Sequence, residues 1–284
     1  MKKLRIVLLL FFVVTAGIYA AYIVRDRMTS DYVAPVIHAE EDSLRISVQA
    51  TDADLMAGMT AEDNLDGDVT DTLVIESKGK FISRGTRQVN YAAFDNNKNV
   101  GTYTREVTYT DYVSPHFRLT EPLRFLDNNK SLDYLRALTA EDCLDGDITR
   151  QIKMNYGELI DVSETLDERE VSFQVSNSAG DTSTLDLIAR IEDRTSYYQP
   201  APALRDYVVY TPKRSVPELT DYLIGIWTAG ETKPFAETEF TPENVVIVKS
   251  NLNVNLPGTY TVTFQLVEDE VPLGSTTMYV IVEE

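Results

Sequence analysis

One eleven-residue stretch occurs twice in this chain. Thr60-Ala61-Glu62-Asp63-Asn64-Leu65-Asp66-Gly67-Asp68-Val69-Thr70 returns 79 residues later as Thr139-Ala140-Glu141-Asp142-Cys143-Leu144-Asp145-Gly146-Asp147-Ile148-Thr149, with nine of eleven positions identical. Agreement of that length makes the chain a tandem array of modules about 80 residues long, so the fold must be one that a small unit can repeat. A second repeat marks the joints: Asp31-Tyr32-Val33-Ala34-Pro35 recurs as Asp111-Tyr112-Val113-Ser114-Pro115, offset by 80. Proline fixes φ and pushes the preceding residue towards extended geometry, so each pentapeptide reads as a stiff, extended connection.

The first module therefore covers 34–112 and the second 113–193. Within the first, Leu44-Arg45-Ile46-Ser47-Val48 places apolar residues at every second position, the pattern of a half-buried strand. Residues 87–94 and 100–109 flank Asp95-Asn96-Asn97-Lys98-Asn99, which predicts a hairpin with β-rich arms around a turn. The second module repeats that order around Asn177-Ser178-Ala179-Gly180-Asp181. A third, eroded copy covers 197–284. There Gly258-Thr259-Tyr260-Thr261-Val262-Thr263-Phe264 echoes Gly85-Thr86-Arg87-Gln88-Val89-Asn90-Tyr91, and Ala229-Gly230-Glu231-Thr232 stands where the acidic stretch should be. Short strands, frequent turn signals and no sustained helical period predict an all-β chain of tandem sandwiches, each closing its own core and stacked end to end.

The residues of the first two modules resemble the bacterial immunoglobulin-like repeats of cell-surface proteins and some pesticidal crystal proteins. The shared pattern is Thr-Ala-x-Asp-x-x-Asp-Gly-Asp-[Val/Ile]-Thr, then Gly-Thr-x-x-Val-x-[Tyr/Phe] and a hairpin turn rich in Asp, Asn and Gly. The resemblance implies immunoglobulin-like sandwiches and extracytoplasmic display, adhesion or spacing, without naming a ligand. The first module departs from the pattern at Asn97-Lys98-Asn99, where the family often has a glycine before its asparagine.

The amino terminus supplies the topology. Residues 6–24 form a 19-residue run without a charge, long enough as a helix to span about 28 Å. Lys2, Lys3 and Arg5 lie in the tail before it, and Arg25 and Arg27 follow, which favours residues 1–5 in the cytoplasm. A cleavable signal needs small residues at the third and first positions before the cut. Cutting after Ala20 or Ala21 puts Ile18 or Tyr19 at the third, so an uncleaved single-pass anchor is expected. The chain is then held at its amino terminus, with its modules outside the membrane.

Setting aside the five basic and one acidic residues of the first 30 leaves 21 basic against 44 acidic side chains, a net charge of −23. A field of that sign excludes nucleic acid as a partner and disfavours anionic lipid surfaces. It suits cations or basic partners. Cys143 is the only cysteine and His38 and His116 the only histidines, so neither a disulfide nor a thiol–imidazole pair is expected.

Two readings of the acidic stretch stand side by side. Asp63, Asp66, Asp68 and Asp95 of the first module, and Asp142, Asp145, Asp147 and Asp181 of the second, would gather near a module joint, with Asp111 nearby. Carboxylates and Asn side chains together offer the oxygen ligands that Ca2+ requires. A structural turn explains the same residues, since Asp-Gly tolerates positive φ and flanking Asp and Thr bond local amides. An EF-hand reading of 95–106 fails, because Val100 replaces the required glycine. A glycosidase reading also fails: the acids crowd one small loop, and Trp227, the single tryptophan, reads as core. No enzyme and no organic cofactor is expected. The leading expectation is a membrane-anchored display protein with a protein or glycan partner, sought first on the third module. The alternative is a stalk or assembly scaffold in a secretion or polysaccharide-export complex.

Overall fold

The computed structural model describes residues 2–29, 31–127 and 132–284. Side chains of residues 1–4 and 26–30, which include Lys2, Lys3 and Arg27 of the basic flanks, lie outside the described ones. Helix α1, Lys2–Thr29, opens the chain. Within it Arg5–Arg25, with a mean hydropathy of 2.5 and no buried residue, is long and apolar enough to cross a membrane.

Three β-sandwiches follow, seven strands each among the described residues. The first has β1 (Val36–Ala39), β2 (Ser43–Ile46), β3 (Met59–Asp63), β4 (Gly67–Asp68), β5 (Val74–Ser83), β6 (Thr86–Phe94) and β7 (Val100–Tyr109). The second has β8 (His116–Leu119), β9 (Arg124–Leu126), β10 (Leu138–Asp142), β11 (Gly146–Asp147), β12 (Lys153–Ser163), β13 (Leu166–Ser176) and β14 (Thr182–Glu192). The third has β15 (Ala201–Leu204), β16 (Val208–Pro212), β17 (Leu223–Thr228), β18 (Glu231–Pro234), β19 (Val245–Ser250), β20 (Gly258–Glu268) and β21 (Val271–Glu283).

All three share one plan. A three-stranded sheet (β1-β3-β4, β8-β10-β11, β15-β17-β18) faces a four-stranded sheet (β2-β7-β6-β5, β9-β14-β13-β12, β16-β21-β20-β19). In each, the second strand runs parallel to the last: β2 with β7, β9 with β14, β16 with β21. The long hairpin supplies most of the buried face, because its apolar residues fall two apart. Val89 and Tyr91 on β6, Val171 and Phe173 on β13, and Val262 and Phe264 on β20 are buried in register. Each such side chain contributes about 1.5–3 kcal/mol by leaving water.

The chain divides into two compact units, Met1–Tyr112 and Val113–Glu284. The second unit departs from the expectation that every module closes its own core. Phe117, Leu119, Phe173 and Leu187 of the second module belong to one buried cluster with Leu204, Tyr207, Phe264 and Met278 of the third. Tyrosine explains why two sandwiches can merge: its ring adds apolar area while its hydroxyl satisfies a strand amide that the interface would otherwise orphan. The Phe117 N–H donates to the Tyr210 hydroxyl at 2.9 Å and the Ile188 N–H to that of Tyr279 at 2.9 Å. Tyr207 N–H donates to the Leu119 carbonyl at 2.8 Å. Burial pushes the Tyr210 phenol up to about 12. His116 stacks on Tyr210 with ring centroids 3.8 Å apart, and its Nε2 lies 2.9 Å from Glu283 Oε1.

The joint between these modules holds a buried charge pair. Arg124 Nη2 donates to Glu192 Oε2 at 2.7 Å and to the Ser196 carbonyl at 3.0 Å, and its guanidinium sits 4.5 Å from the Trp227 ring centroid. Trp227 is fully buried, which bears out its reading as core rather than as a sugar platform. Helix α2 (Arg194–Tyr197), capped by Asp193, brings Tyr197 edge-on to that indole at 5.4 Å. Calorimetry of the intact chain should therefore show the second and third modules melting in one transition. Removing 197–284 should lower the melting temperature of the second module, and two independent transitions within 113–284 would contradict the shared core.

Candidate functional site

In the acidic stretch, β3 runs to Asp63, turns through Asn64-Leu65-Asp66, and returns as β4 antiparallel to it, with Asp63 opposite Gly67. Asp63 Oδ2 accepts from the amides of Leu65 at 2.8 Å and Asp66 at 3.0 Å, a side-chain-closed turn. Gly67 has φ of +73° and Gly146 of +70°, with open space where a Cβ would stand, so glycine is required there for its backbone alone. Val69 then enters the core, and its amide donates to the Ala61 carbonyl at 2.9 Å. The Thr70 hydroxyl accepts from the Ala61 N–H at 2.9 Å, so both polar groups of a fully buried alanine are satisfied.

The second module repeats this atom for atom. Asp142 Oδ1 accepts from Leu144 at 2.9 Å and Asp145 at 3.1 Å, Ile148 N–H donates to the Ala140 carbonyl at 2.9 Å, and Thr149 Oγ1 accepts from Ala140 N–H at 3.0 Å. The third module dispenses with the stretch. β17 and β18 are joined by Ala229 and Gly230 with φ of 55° and 91°, a two-residue turn with both residues in the left-handed region.

The remaining aspartates of the stretch are engaged within their own module. Asp66 accepts from Asn96 N–H at 2.9 Å and Asn96 Nδ2 at 2.7 Å, and Asp145 from Ser178 N–H at 2.5 Å and Oγ at 2.7 Å. These carboxylates tie the turn after the third strand to the turn of the long hairpin. Asp68 and Asp147 cap the next turn by accepting from Thr70 N–H at 3.0 Å and Thr149 N–H at 2.9 Å. The Thr70 side chain, then its amide, holds the Asp68 carboxyl below its usual range, and Thr149 does the same for Asp147. Asp63 is lowered chiefly by the Asp66 amide, then by that of Leu65.

The hairpin turns separate the modules. Both begin and end with one Asp and one Asn, in opposite order: Asp95 and Asn99 in the first, Asn177 and Asp181 in the second. In the second module Asn177 Nδ2 donates to Asp142 Oδ2 at 3.0 Å, and Asn177 Oδ1 accepts from Asp181 N–H at 2.9 Å. Asp181 Oδ1 accepts from Thr182 N–H at 2.9 Å. In the first module Asp95 spends its oxygens on Asn99, on the amide at 2.7 Å and on Nδ2 at 2.6 Å, and presents a carboxylate towards Asp63 where Asn177 presents an amide.

Asp31 completes the group. One carboxylate oxygen from each of Asp31, Asp63 and Asp95 lies within 4.8 Å of the others, and all three residues are buried. Asp31 was read above only as part of a joint. Its signal was available, since the 80-residue offset makes Asp31 the first module's counterpart of Asp111, which the sequence led us to expect near the second module's acids. Asp111 itself is engaged within the first unit by Ser47 Oγ at 2.6 Å and Val48 N–H at 2.7 Å.

No family model matches the chain. An uncharacterised 81.3 kDa protein of Acholeplasma phage L2 is 27% identical over 171 residues, covering 56% of this chain and 23% of that protein. The chain thus spans under a quarter of that relative's length. Among solved structures, CBM51-2 in complex with GlcNAc and INT domains from Clostridium perfringens ZmpB covers 56% of this chain and 42% of its own, with 17% identity and a TM-score of 0.23. Human CDH23 EC21-23 covers 88% and 100% with 12% identity and a TM-score of 0.22. The lipoprotein BT2262 from Bacteroides thetaiotaomicron covers 86% and 98% with 10% identity and a TM-score of 0.21. At these scores the likenesses carry no functional argument.

The threonine that closes each stretch should matter more than its surface acids. Replacing Thr149 by Val leaves a buried amide without its acceptor, so Thr149→Val should destabilise the second unit by about 1–3 kcal/mol in urea titrations. A change below about 0.5 kcal/mol, typical of surface substitutions, would contradict this account of the stretch.

Proposed function

We propose that the chain is a single-pass, membrane-anchored bacterial surface protein whose three immunoglobulin-like modules bind a protein or glycan partner outside the cytoplasm. The observation that carries this reading is the exposed apolar span Arg5–Arg25 directly preceding an acidic array of β-sandwiches. The sequence resemblance to bacterial immunoglobulin-like repeats supports it, and so does the net charge of −23 beyond residue 30, which suits an aqueous face.

Two edge strands offer apolar side chains for contact. On β12 of the second module Tyr156, Leu159, Ile160 and Val162 are exposed, and on β19 of the third Val246, Ile247 and Val248 are exposed. A free edge carries unpaired backbone donors and acceptors as well, and so suits an extended partner. The shared core of the second and third modules favours a second reading, a strut in an envelope complex. That core also makes deletion of 197–284 a poor test, since deletion uncovers the second module.

Topology is tested by a membrane-impermeant maleimide in a Cys143→Ser background. Glu158→Cys should label in intact cells and Lys3→Cys only after permeabilisation; the reverse pattern would overturn the anchor. Partner capture from detergent extracts should fall at least about tenfold in Tyr156→Lys/Ile160→Lys or in Ile247→Lys, equivalent to about 1.4 kcal/mol. External proteins or glycans among the captured species support display, and membrane-complex subunits support the strut.

A further inference from the structure

We propose that Asp31, Asp63 and Asp95 bind one calcium ion, and that the second module lacks this site. The assignment is independent of what the modules display. Its basis is a mismatch between buried negative charge and available donors. The three residues are only 7–8% exposed, and one oxygen from each lies within 4.8 Å of the others. Asp31 Oδ1 is used by the Val33 N–H at 2.9 Å, Asp63 Oδ2 by Leu65 and Asp66, and both oxygens of Asp95 by Asn99. Asp31 Oδ2 and Asp63 Oδ1 remain, each buried and without a hydrogen-bond partner. Among the described residues no lysine or arginine pairs with any of the three. Buried carboxylates that are neither paired nor fully hydrogen-bonded are strongly disfavoured unless they coordinate a cation.

The second module is the internal control. The same backbone places Asn177 where the first module has Asp95, and its Nδ2 donates to Asp142 Oδ2 at 3.0 Å. One amide there does what a cation is needed for in the first module. Calcium fits the donor set because it takes six to eight oxygens, from carboxylates, carbonyls and waters, in flexible geometry, whereas magnesium demands a near-ideal octahedron. Asp31 lies in the segment between α1 and β1, and its carbonyl already accepts from Asn99 Nδ2 at 3.0 Å. A bound ion would fasten that segment to the turn of the β6–β7 hairpin.

The experiment is calorimetric titration of the purified full-length chain in detergent at neutral pH, stripped with chelator, using CaCl2 and separately MgCl2. The expected result is one equivalent of Ca2+ per chain in the micromolar to millimolar range, with a higher melting temperature at saturation. Asp95→Asn, which puts the second module's residue at the head of the turn, should weaken Ca2+ at least about tenfold and raise the melting temperature of the stripped protein, since an amide relieves the repulsion. Asp142→Asn should leave Ca2+ binding unchanged. The proposal is overturned if wild type shows no binding up to about 10 mM, well above the range of weak extracellular sites. It is equally overturned by undiminished binding in Asp95→Asn, by loss of binding in Asp142→Asn, or by an equal response to Mg2+.

Discussion

The backbone of one buried alanine governs the acidic stretch. Ala61 and Ala140 are fully buried, and each needs an acceptor for its N–H and a donor for its carbonyl. The chain meets both needs by turning back at once, so that a valine or isoleucine amide and a threonine hydroxyl arrive beside it. Everything acidic in the stretch follows from making that return tight. Asp63 and Asp142 close the first turn, glycine supplies positive φ, and Asp68 and Asp147 cap the next. Asp66 and Asp145 then pin the neighbouring hairpin. The stretch is a folding device first, and the third module shows that a two-residue hairpin of Ala229 and Gly230 can replace it.

On this common frame a single exchange changes the electrostatics. With Asn at the head of the hairpin turn, the inner carboxylate receives an amide donor and its oxygen is satisfied. With Asp there, a carboxylate meets a carboxylate, and Asp31 adds a third. Two modules that are nearly identical in the stretch itself therefore have opposite requirements at the same place. The difference lies outside the conserved eleven residues, in the turn and in the joint.

Much of the architecture was legible in the sequence. Alternation fixed the long hairpins at Val89, Tyr91, Val171 and Phe173, and the repeat offsets located the three sandwiches. Asp-Gly announced the turn. What was not legible depended on contacts between distant elements. The merging of the second and third modules rests on Tyr207, Tyr210 and Tyr279, which in sequence look like any strand tyrosines. Their role appears only when the strand amides of Phe117 and Ile188 reach the hydroxyls of Tyr210 and Tyr279, and the Tyr207 N–H reaches the Leu119 carbonyl. Likewise the eight acids expected as ligands shared composition but not geometry: all eight have hydrogen-bond partners within their own module, and among the described residues only Asp63 and Asp95 join a group of three carboxylates close enough to share an ion. Asp31 escaped because a residue before a proline-stiffened joint reads as linker until the fold carries it beside β3 and the hairpin turn.

Hydrogen exchange on the full-length chain, with Ca2+ and with chelator, distinguishes the two repeats most directly. Ca2+ should slow exchange at the amides of Val33, Leu65, Asp66 and Asn99, which surround the three carboxylates, and leave those of Leu144, Asp145 and Asp181 unchanged. Equal protection of both repeats, or no change in the first, would contradict the claim that one Asp-for-Asn exchange separates a cation site from a hydrogen-bonded turn.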